Sequence, residues 1–530
     1  MKFISFIWIL SVWMNLGFIM HGASKDPFDF DQVIHFKIEI PDAGIEILRQ
    51  SNFQRRWPDS SHRPKVKAQV RINDEPFKDV SVRLKGAAGS FRSIDSKPAL
   101  TLNLDSHIKD QQFEGYDKFY LNNSVQDRSY CNEIICRELF QRAGIPTPRA
   151  THATVELNGR DLGLYVMIEG FNKKWLKRHF DQIGGNLYDS GFLKDIHANL
   201  TVNVGKTPED HSAKNNLIAA VYEKDLSKLL PGIMRHLDLD MFLTHVALDT
   251  LTWNWDGYAM KPNNYRLYHN LDTGKFQFIP HGMDQMFQNP QGSIYPRFRG
   301  VTVLSLMRLP AMQQQYFKRM LHLYGTVFKP KQLVNRVDQL AAVIEPELKK
   351  RSLREWDRNQ RGIQRLKDSI GARGDFLGWE LSAPERALKF PDAGFVSIRN
   401  WKTSRLRGDI QFRNANENNK QVLVIESGSG INIGRWYSPQ LLTQGTYRFE
   451  ARVRCENVVA APNDLYGGVR VRASGSRINA VLSGTRNWTW MAAEFLVSQP
   501  VEEVELSCEF RGMQGRTWFE EGSFRLVKLR

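Results

Sequence analysis

The chain has 530 residues, 42% hydrophobic, 25% charged and 11% aromatic. That apolar content builds real cores and excludes a disordered, collagen-like or low-complexity protein, while the length exceeds what one core usually organises. Lysine and arginine (73) exceed aspartate and glutamate (57) for a net charge of +16, spread without a run of like charge, and four cysteines exclude a disulfide-built scaffold.

Residues 1–24, MKFISFIWILSVWMNLGFIMHGAS, place Lys2 before an apolar stretch that ends in small residues. This order is that of a secretory signal peptide cut near Ala23 or Ser24, and an extracytoplasmic location follows. An uncleaved anchor is the competing reading, because the stretch nearly reaches the ~18 residues that span a bilayer. No later segment has that length and apolarity, so no membrane span is expected after cleavage.

From about 33 to 104 the pattern is β, with VKAQVRI and VSVRLKG flanking a turn at Asn73-Asp74. A helix follows, capped by Asp127 or Ser129 and stopped by Gly144 and Pro146. THATVEL and LGLYVMIEG then form a hairpin on Asn158-Gly159. Beyond 170 the chain turns helical (NKKWLKRHF, DLSKLL, DLDMFLTHVALDTL). Two short strands flank Asp272-Thr273-Gly274, and 300–380 is helical again. From about 390 short strands with Gly, Asn and Ser turns indicate a β-sandwich. There Cys455 and Cys508, both in strand-like segments, are able to pair.

Three sets of residues suit chemistry. In the glycine-bearing turn at 86–90, Gly89 and Ser90 allow backbone approach to phosphate oxygens, with Arg92 and Lys97 as neutralising cations; an ordinary turn is the plain alternative. Asp256, Asn263, Asn264 and Asp284 form an oxygen-rich series of the kind Mg²⁺ requires, one carboxylate being free to take a proton from a hydroxyl; Asx-turns explain the same residues without chemistry. Glu133, on the helix after 130, has the reach to fix Lys97, although most helix glutamates are simply solvated. The 13 histidines show no HExxH and there is no GxSxG, so a zinc hydrolase and a nucleophile-elbow esterase are disfavoured.

Taken in order, LKGAAGSFRSIDSKPALTLNLD, the segment from FYLNNSVQDRSYCNEIICREL to FNKKWLKRHF, GNLYD, NWDGYAMKPNNYRLY, FQFIPHGMDQMF and RLKDSIGARGDF resemble the CotH family of secreted, protein kinase-like proteins over roughly residues 35–380. The resemblance implies an α+β fold, an atypical bilobal protein-kinase-like domain at 30–380 (N-lobe about 30–170, C-lobe about 171–380). It implies transfer of the γ-phosphate of ATP, with Mg²⁺ or Mn²⁺, to Ser or Thr of extracytoplasmic proteins. Lys97 looks like the phosphate-binding lysine and Glu133 its helix partner; Asp256 looks like the catalytic-loop aspartate, Asn263 or Asn264 a metal ligand, and Asp284 the metal-binding aspartate. Glu169 falls where the strand toward the hinge ends. Two departures stand out: Gly282 replaces the first aspartate of the family's common WDLDWTF, and GAAGS replaces RGNSS. A weakly active or inactive kinase-like scaffold that binds surface glycans or proteins therefore remains the second functional class.

Residues 390–530 look similar to galactose-binding-like jelly rolls and carbohydrate-binding modules, an all-β sandwich rich in aromatics (Trp401, Trp436, Tyr437, Trp488, Trp490, Trp518). Some of these rings suit stacking on sugars, so a glycan partner is expected. With no basic helix or RNP-like strand, no nucleic-acid partner is expected.

Overall fold

The computed structural model describes residues 26–28, 32–51, 63–391, 394–461, 464, 466–474, 476 and 480–529; the leader expected over 1–24 lies outside them. The chain divides into two compact units, one of Met1–Ile134, Pro148–Arg178 and Gln339–Asn359, the other of Ile135–Thr147, His179–Asp338 and Gln360–Arg530.

The first unit is built on a closed barrel in the order β1-β2-β3-β4-β5-β7-β6. Its strands are β1 (Ile34–Glu39), β2 (Val66–Ile72), β3 (Glu75–Lys85), β4 (Ala99–Asn103), β5 (Lys118–Asn122), β6 (Ala150–Leu157) and β7 (Arg160–Glu169). The first two strands alternate buried and exposed residues strictly, as period-2 patterning requires. Both expected hairpin turns form: Asn73 and Asp74 (φ 45° and 70°) and Asn158 and Gly159 (φ 48° and 75°) take the paired left-handed conformation that two-residue turns need. Phe36, Leu84, Leu100, Phe119, Leu121 and Met167 pack together in its core. A helix the sequence reading missed, α1 (Asp42–Arg49), interrupts the run taken as wholly β. Two helices follow in the sequence, α2 (Asn132–Arg142) after β5 and α3 (Lys173–His179) after β7.

The second unit holds a four-stranded sheet, β11-β10-β8-β9, from β8 (Leu187–Asp189), β9 (Thr201–Val204), β10 (Tyr265–Asn270) and β11 (Lys275–Pro280). Its helices are α4 (Ser212–Val221), α5 (Leu226–His236), α6 (Leu239–Leu251), α7 (Val301–Leu306) and α8 (Pro310–Thr326). Asp225 and Asp238 accept the first-turn amides of α5 and α6, satisfying donors a helix start leaves open. Next come α9 (Pro330–Arg351), α10 (Leu353–Leu381) and α11 (Ala383–Arg386). No helix among the described residues is long and apolar enough to cross a membrane.

The rest is all β, as expected: β12 (Phe395–Ser397), β13 (Lys402–Arg407), β14 (Ile410–Glu417), β15 (Lys420–Ser427), β16 (Asn432–Val459), β17 (Gly468–Ala473), β18 (Gly484–Gly512), β19 (Gln514–Glu520) and β20 (Arg525–Lys528). The separate short strands read from the sequence are in part merged. β16 and β18 run through 28 and 29 residues and shift register between Thr443 and Gly445. Before that shift β16 pairs with β13, and after it with β19 and β20, so each long strand passes from one layer to the other. Both halves contribute to one core containing Leu442, Phe449, Val453 and Leu506. Cys455 and Cys508 are buried in that core as free thiols, and burial pushes both above the ordinary thiol value.

Candidate active site

In the barrel unit the glycine-bearing turn closes on itself. The Ala87 carbonyl accepts from Ser90 N and Phe91 N (3.2 and 2.9 Å), and Ala87 N donates to Ser90 Oγ (3.1 Å). Arg92 donates to the Gly89 carbonyl at 3.0 Å. Gly86, at φ 103°, takes a conformation in which an added Cβ meets the Phe91 backbone at 3.1 Å, so the turn requires glycine there. Asn123 Nδ2 ties the loop down through the carbonyls of Ser90 (3.0 Å) and Lys97 (2.8 Å).

Lys97, expected as the phosphate-binding lysine, sits among Tyr130, Leu164 and Tyr165. Its ammonium donates to the Tyr130 hydroxyl (3.0 Å) and the Leu164 carbonyl (2.8 Å), with the Tyr130 and Tyr165 ring centroids 5.1 and 5.0 Å away. Burial lowers its pKa to about 8, against the opposing pull of Glu355 and Asp161. Glu133, on α2, is buried and accepts from Asn122 Nδ2 at 3.2 Å.

Strand register points to a different lysine beside Glu133. Lys85 pairs with Ala99, and Leu100, the next residue of β4, pairs with Leu121. Lys85 and Asn122 therefore stand level, two strands apart, on one face of the barrel. The Lys85 ammonium lies 5.6 Å from the Tyr120 centroid, on that same face. A single lysine before a glycine carries no local signal in the sequence; its register against β4 and, through it, β5 gives Lys85 this setting. Glu169 is buried at the end of β7, where its carboxylate accepts from Arg149 N (3.2 Å) and pairs with Arg178 on α3.

In the second unit the loop after α6 is held from beneath. Asp249, fully buried, accepts from Asn254 Nδ2 (2.8 Å) and Ala259 N (3.3 Å), and His245 Nε2 lies 3.5 Å away. Arg373 of α10 is buried and donates to the carbonyls of Thr250 (2.6 Å), Leu251 (3.0 Å), Pro290 (3.1 Å) and Gly292. It thus satisfies the last carbonyls of α6, which a helix end leaves open.

On this support Asp256 and Asn264 meet. Asn264 Nδ2 donates to Asp256 Oδ2 (2.8 Å) and to the Asp256 carbonyl (3.1 Å). Lys261 Nζ is 2.8 Å from Asp256 Oδ1 and 4.8 Å from the Trp255 centroid. The sequence reading passed over Lys261, whose only signal was its place inside NWDGYAMKPNN. Asn263, left as an alternative to Asn264, is buried and accepts from Leu193 N at 3.3 Å. The 281–287 segment lies along the same loop, His281 N donating to the Asn264 carbonyl (2.9 Å) and Phe287 N to that of Thr252 (2.7 Å). Gly282, at φ 61°, has space for a Cβ only 2.7 Å from Asn264 Oδ1. Asp284 follows two residues on, partly exposed.

Among the described residues no group of three or more His, Cys, Asp or Glu is placed to hold a metal. Asp284, Asn264 and Asp256 still offer hard oxygen donors. That set fits Mg²⁺, which keeps several waters and needs one or two carboxylates besides substrate phosphates.

Comparison with known proteins places the chain. The family model described as "CotH kinase protein" matches residues 82–377. The inner spore coat protein H of Bacillus subtilis (strain 168) is 24% identical over 235 residues, 41% of this chain and 64% of that protein. The invasin CotH3 of Rhizopus delemar is 21% identical over 316 residues, 53% of this chain and 51% of that protein. The chain thus spans just under two thirds and about half the length of these curated relatives. Among solved structures, the Helicobacter pylori proinflammatory kinase CtkA aligns over 53% of this chain and 94% of its own at 10% identity and a TM-score of 0.25. TmCBM61 in complex with β-1,4-galactotriose aligns over 24% of this chain and 88% of its own at 14% identity and a TM-score of 0.18. With the family model matched over more than half of its length, the chain belongs to the CotH kinase protein family.

Proposed function

We propose that the chain is an extracytoplasmic ATP-dependent protein kinase that moves the γ-phosphoryl group of ATP to a Ser or Thr hydroxyl, releasing ADP. The observation that carries the reading is the Asp256–Asn264 hydrogen bond with Gly282 packed on it and Asp284 two residues further along. In this reading Lys85, steadied by Glu133 and Asn122, neutralises the nucleotide phosphates. Asp284 and Asn264 hold the divalent ion, which supplies charge neutralisation at the phosphate oxygens. Asp256 orients the acceptor hydroxyl and receives its proton, while Lys261, 2.8 Å from Asp256 Oδ1, holds that carboxylate in place. Lys97 serves the barrel, between Tyr130 and Leu164.

Incubation of the full chain with γ-labelled ATP and Mg²⁺ or Mn²⁺ tests this. Label is expected on the chain or on an added acceptor protein, to be lost in Asp284→Ala together with Mg-ATP binding. Asp256→Ala is expected to keep binding and to lower turnover about 10²–10⁴-fold, the usual share of a positioned base. Labelling unchanged in both variants would rule the assignment out.

A second reading concerns the sandwich, which we infer to be a glycan-binding module. Trp490 (49% exposed) and Phe395 (38%) present rings to solvent, whereas Trp436 and Trp518 are buried. Exposed rings of this size suit the C–H faces of sugars.

A further inference from the structure

The outer face of the sandwich layer holding β12, β20, β16, β18 and β19 carries aromatic rings and guanidiniums in alternation. The Arg525 guanidinium lies 5.1 Å from the Phe395 centroid on one side and 5.3 Å from Trp490 on the other. Trp490 pairs across strands with Arg452, whose guanidinium is 5.9 Å from Trp488. Arg454 stands 5.5 Å from Trp488 and 4.0 Å from Trp518, and Arg516 ends the row 5.7 Å from Trp518. Four rings and four guanidiniums thus form one continuous track across the strands.

The charges along this track are uneven. Arg452, Arg454 and Arg516 pair with Glu520, Glu417 and Glu426. Arg525 has no carboxylate partner among the described residues, although it lies between the two exposed rings.

Resting on the glycan-binding reading of the sandwich, we propose that this track binds an extended polysaccharide that carries carboxylate groups at intervals, a uronate-type polymer. The exposed Trp490 and Phe395 and the half-buried Trp488 stack on sugar faces, while buried Trp518 anchors the row from beneath. The Arg–Glu pairs offer the mixture of donors and acceptors that hydroxyls use in both senses. Arg525, its fork unspent, takes a carboxylate in bidentate fashion. A single-stranded nucleic acid also exploits alternating rings and cations, but it carries a phosphate at every nucleotide, and Glu417, Glu426 and Glu520 would oppose that density.

The test titrates the full chain with oligogalacturonate, with an uncharged galactan of similar length, and with oligothymidylate. Oligogalacturonate is expected to bind about tenfold more tightly than galactan, the size of one charge-assisted pair. Arg525→Gln is expected to remove that preference, and Trp490→Ala to weaken both sugars, each with an unchanged thermal midpoint. Leu496→Ala, an exposed change elsewhere on β18, is the control expected to leave binding unaltered. Equal affinity for the two sugars with no effect of Arg525→Gln would overturn the acidic class and leave glycan binding standing. Preference for oligothymidylate, or binding to none of the three, would overturn both.

Discussion

Lys85 and Lys97 are twelve positions apart and differ in what their ammonium groups touch. Lys97 is enclosed by Tyr130, Tyr165 and the Leu164 carbonyl, and burial draws its pKa down to about 8 from 10.5. Between those two values the unfolded chain binds the proton and the folded chain does not, so stability rises with pH across that window. Urea midpoints of the wild type are expected to climb from pH 8 to 10.5, by up to about 3 kcal/mol in free energy. Lys97→Met is expected to lose that climb and to keep phosphotransfer; a variant with the wild-type pH profile would contradict the assignment. Lys85→Met is expected to behave oppositely, with stability little changed and ATP binding lost. Gly282 makes a related point. Its left-handed φ and the 2.7 Å approach to Asn264 Oδ1 mean that restoring the family's aspartate would not add a metal ligand. Gly282→Asp is expected to cost about 1–3 kcal/mol and to lower turnover by disturbing the Asn264–Asp256 bond, measured by thermal unfolding and labelling side by side.

At the scale of elements, the helix that ends at Leu251 owes its position to a residue more than a hundred places away. Arg373 donates to Thr250, Leu251, Pro290 and Gly292, so it fixes both the end of α6 and the segment after Phe287. Arg373→Met leaves those buried carbonyls without a donor, each costing about 1–3 kcal/mol. A loss of at least about 3 kcal/mol is expected, part of it regained in Arg373→Lys, and guanidinium unfolding of the three proteins measures it. What was legible in the sequence follows the same division between local and distant causes. The hairpins at Asn73-Asp74 and Asn158-Gly159 announced themselves, because turn chemistry acts within four residues. Helix α1 and strand β8 were missed because eight and three residues are too few to show a period. The merging of short β segments into β16 and β18 depends on which strands they meet after the register shift, a non-local matter. Asp256, Asn264 and Asp284 could be singled out from the sequence, since oxygen-bearing residues cluster in one short motif and its neighbour. Lys85 could not be, because it acquires its setting only through the strands that pair beside it.

For the whole molecule the surplus of +16 is too diffuse to name a partner, and it is the arrangement of a few charges that discriminates. Asp256, Asp284 and Lys85 belong to the family-matched stretch 82–377, whereas Arg525 and Trp490 lie beyond it. The two sets lie in separate stretches of the sequence, and independent sites behave additively. Phosphotransfer and polysaccharide binding should therefore be separable in one chain. Arg525→Gln is expected to leave the rate of labelling unchanged, and Asp284→Ala to leave oligogalacturonate affinity unchanged. Raising the salt should weaken uronate binding more than galactan binding, because exposed ion pairs are screened beyond a Debye length of about 8–10 Å while stacking is not. The double variant measures coupling directly: affinity and rate should each equal those of the corresponding single variant. A shift in either would mean that what the sandwich holds alters what the kinase-like region does, and the free energy of that coupling would equal the discrepancy.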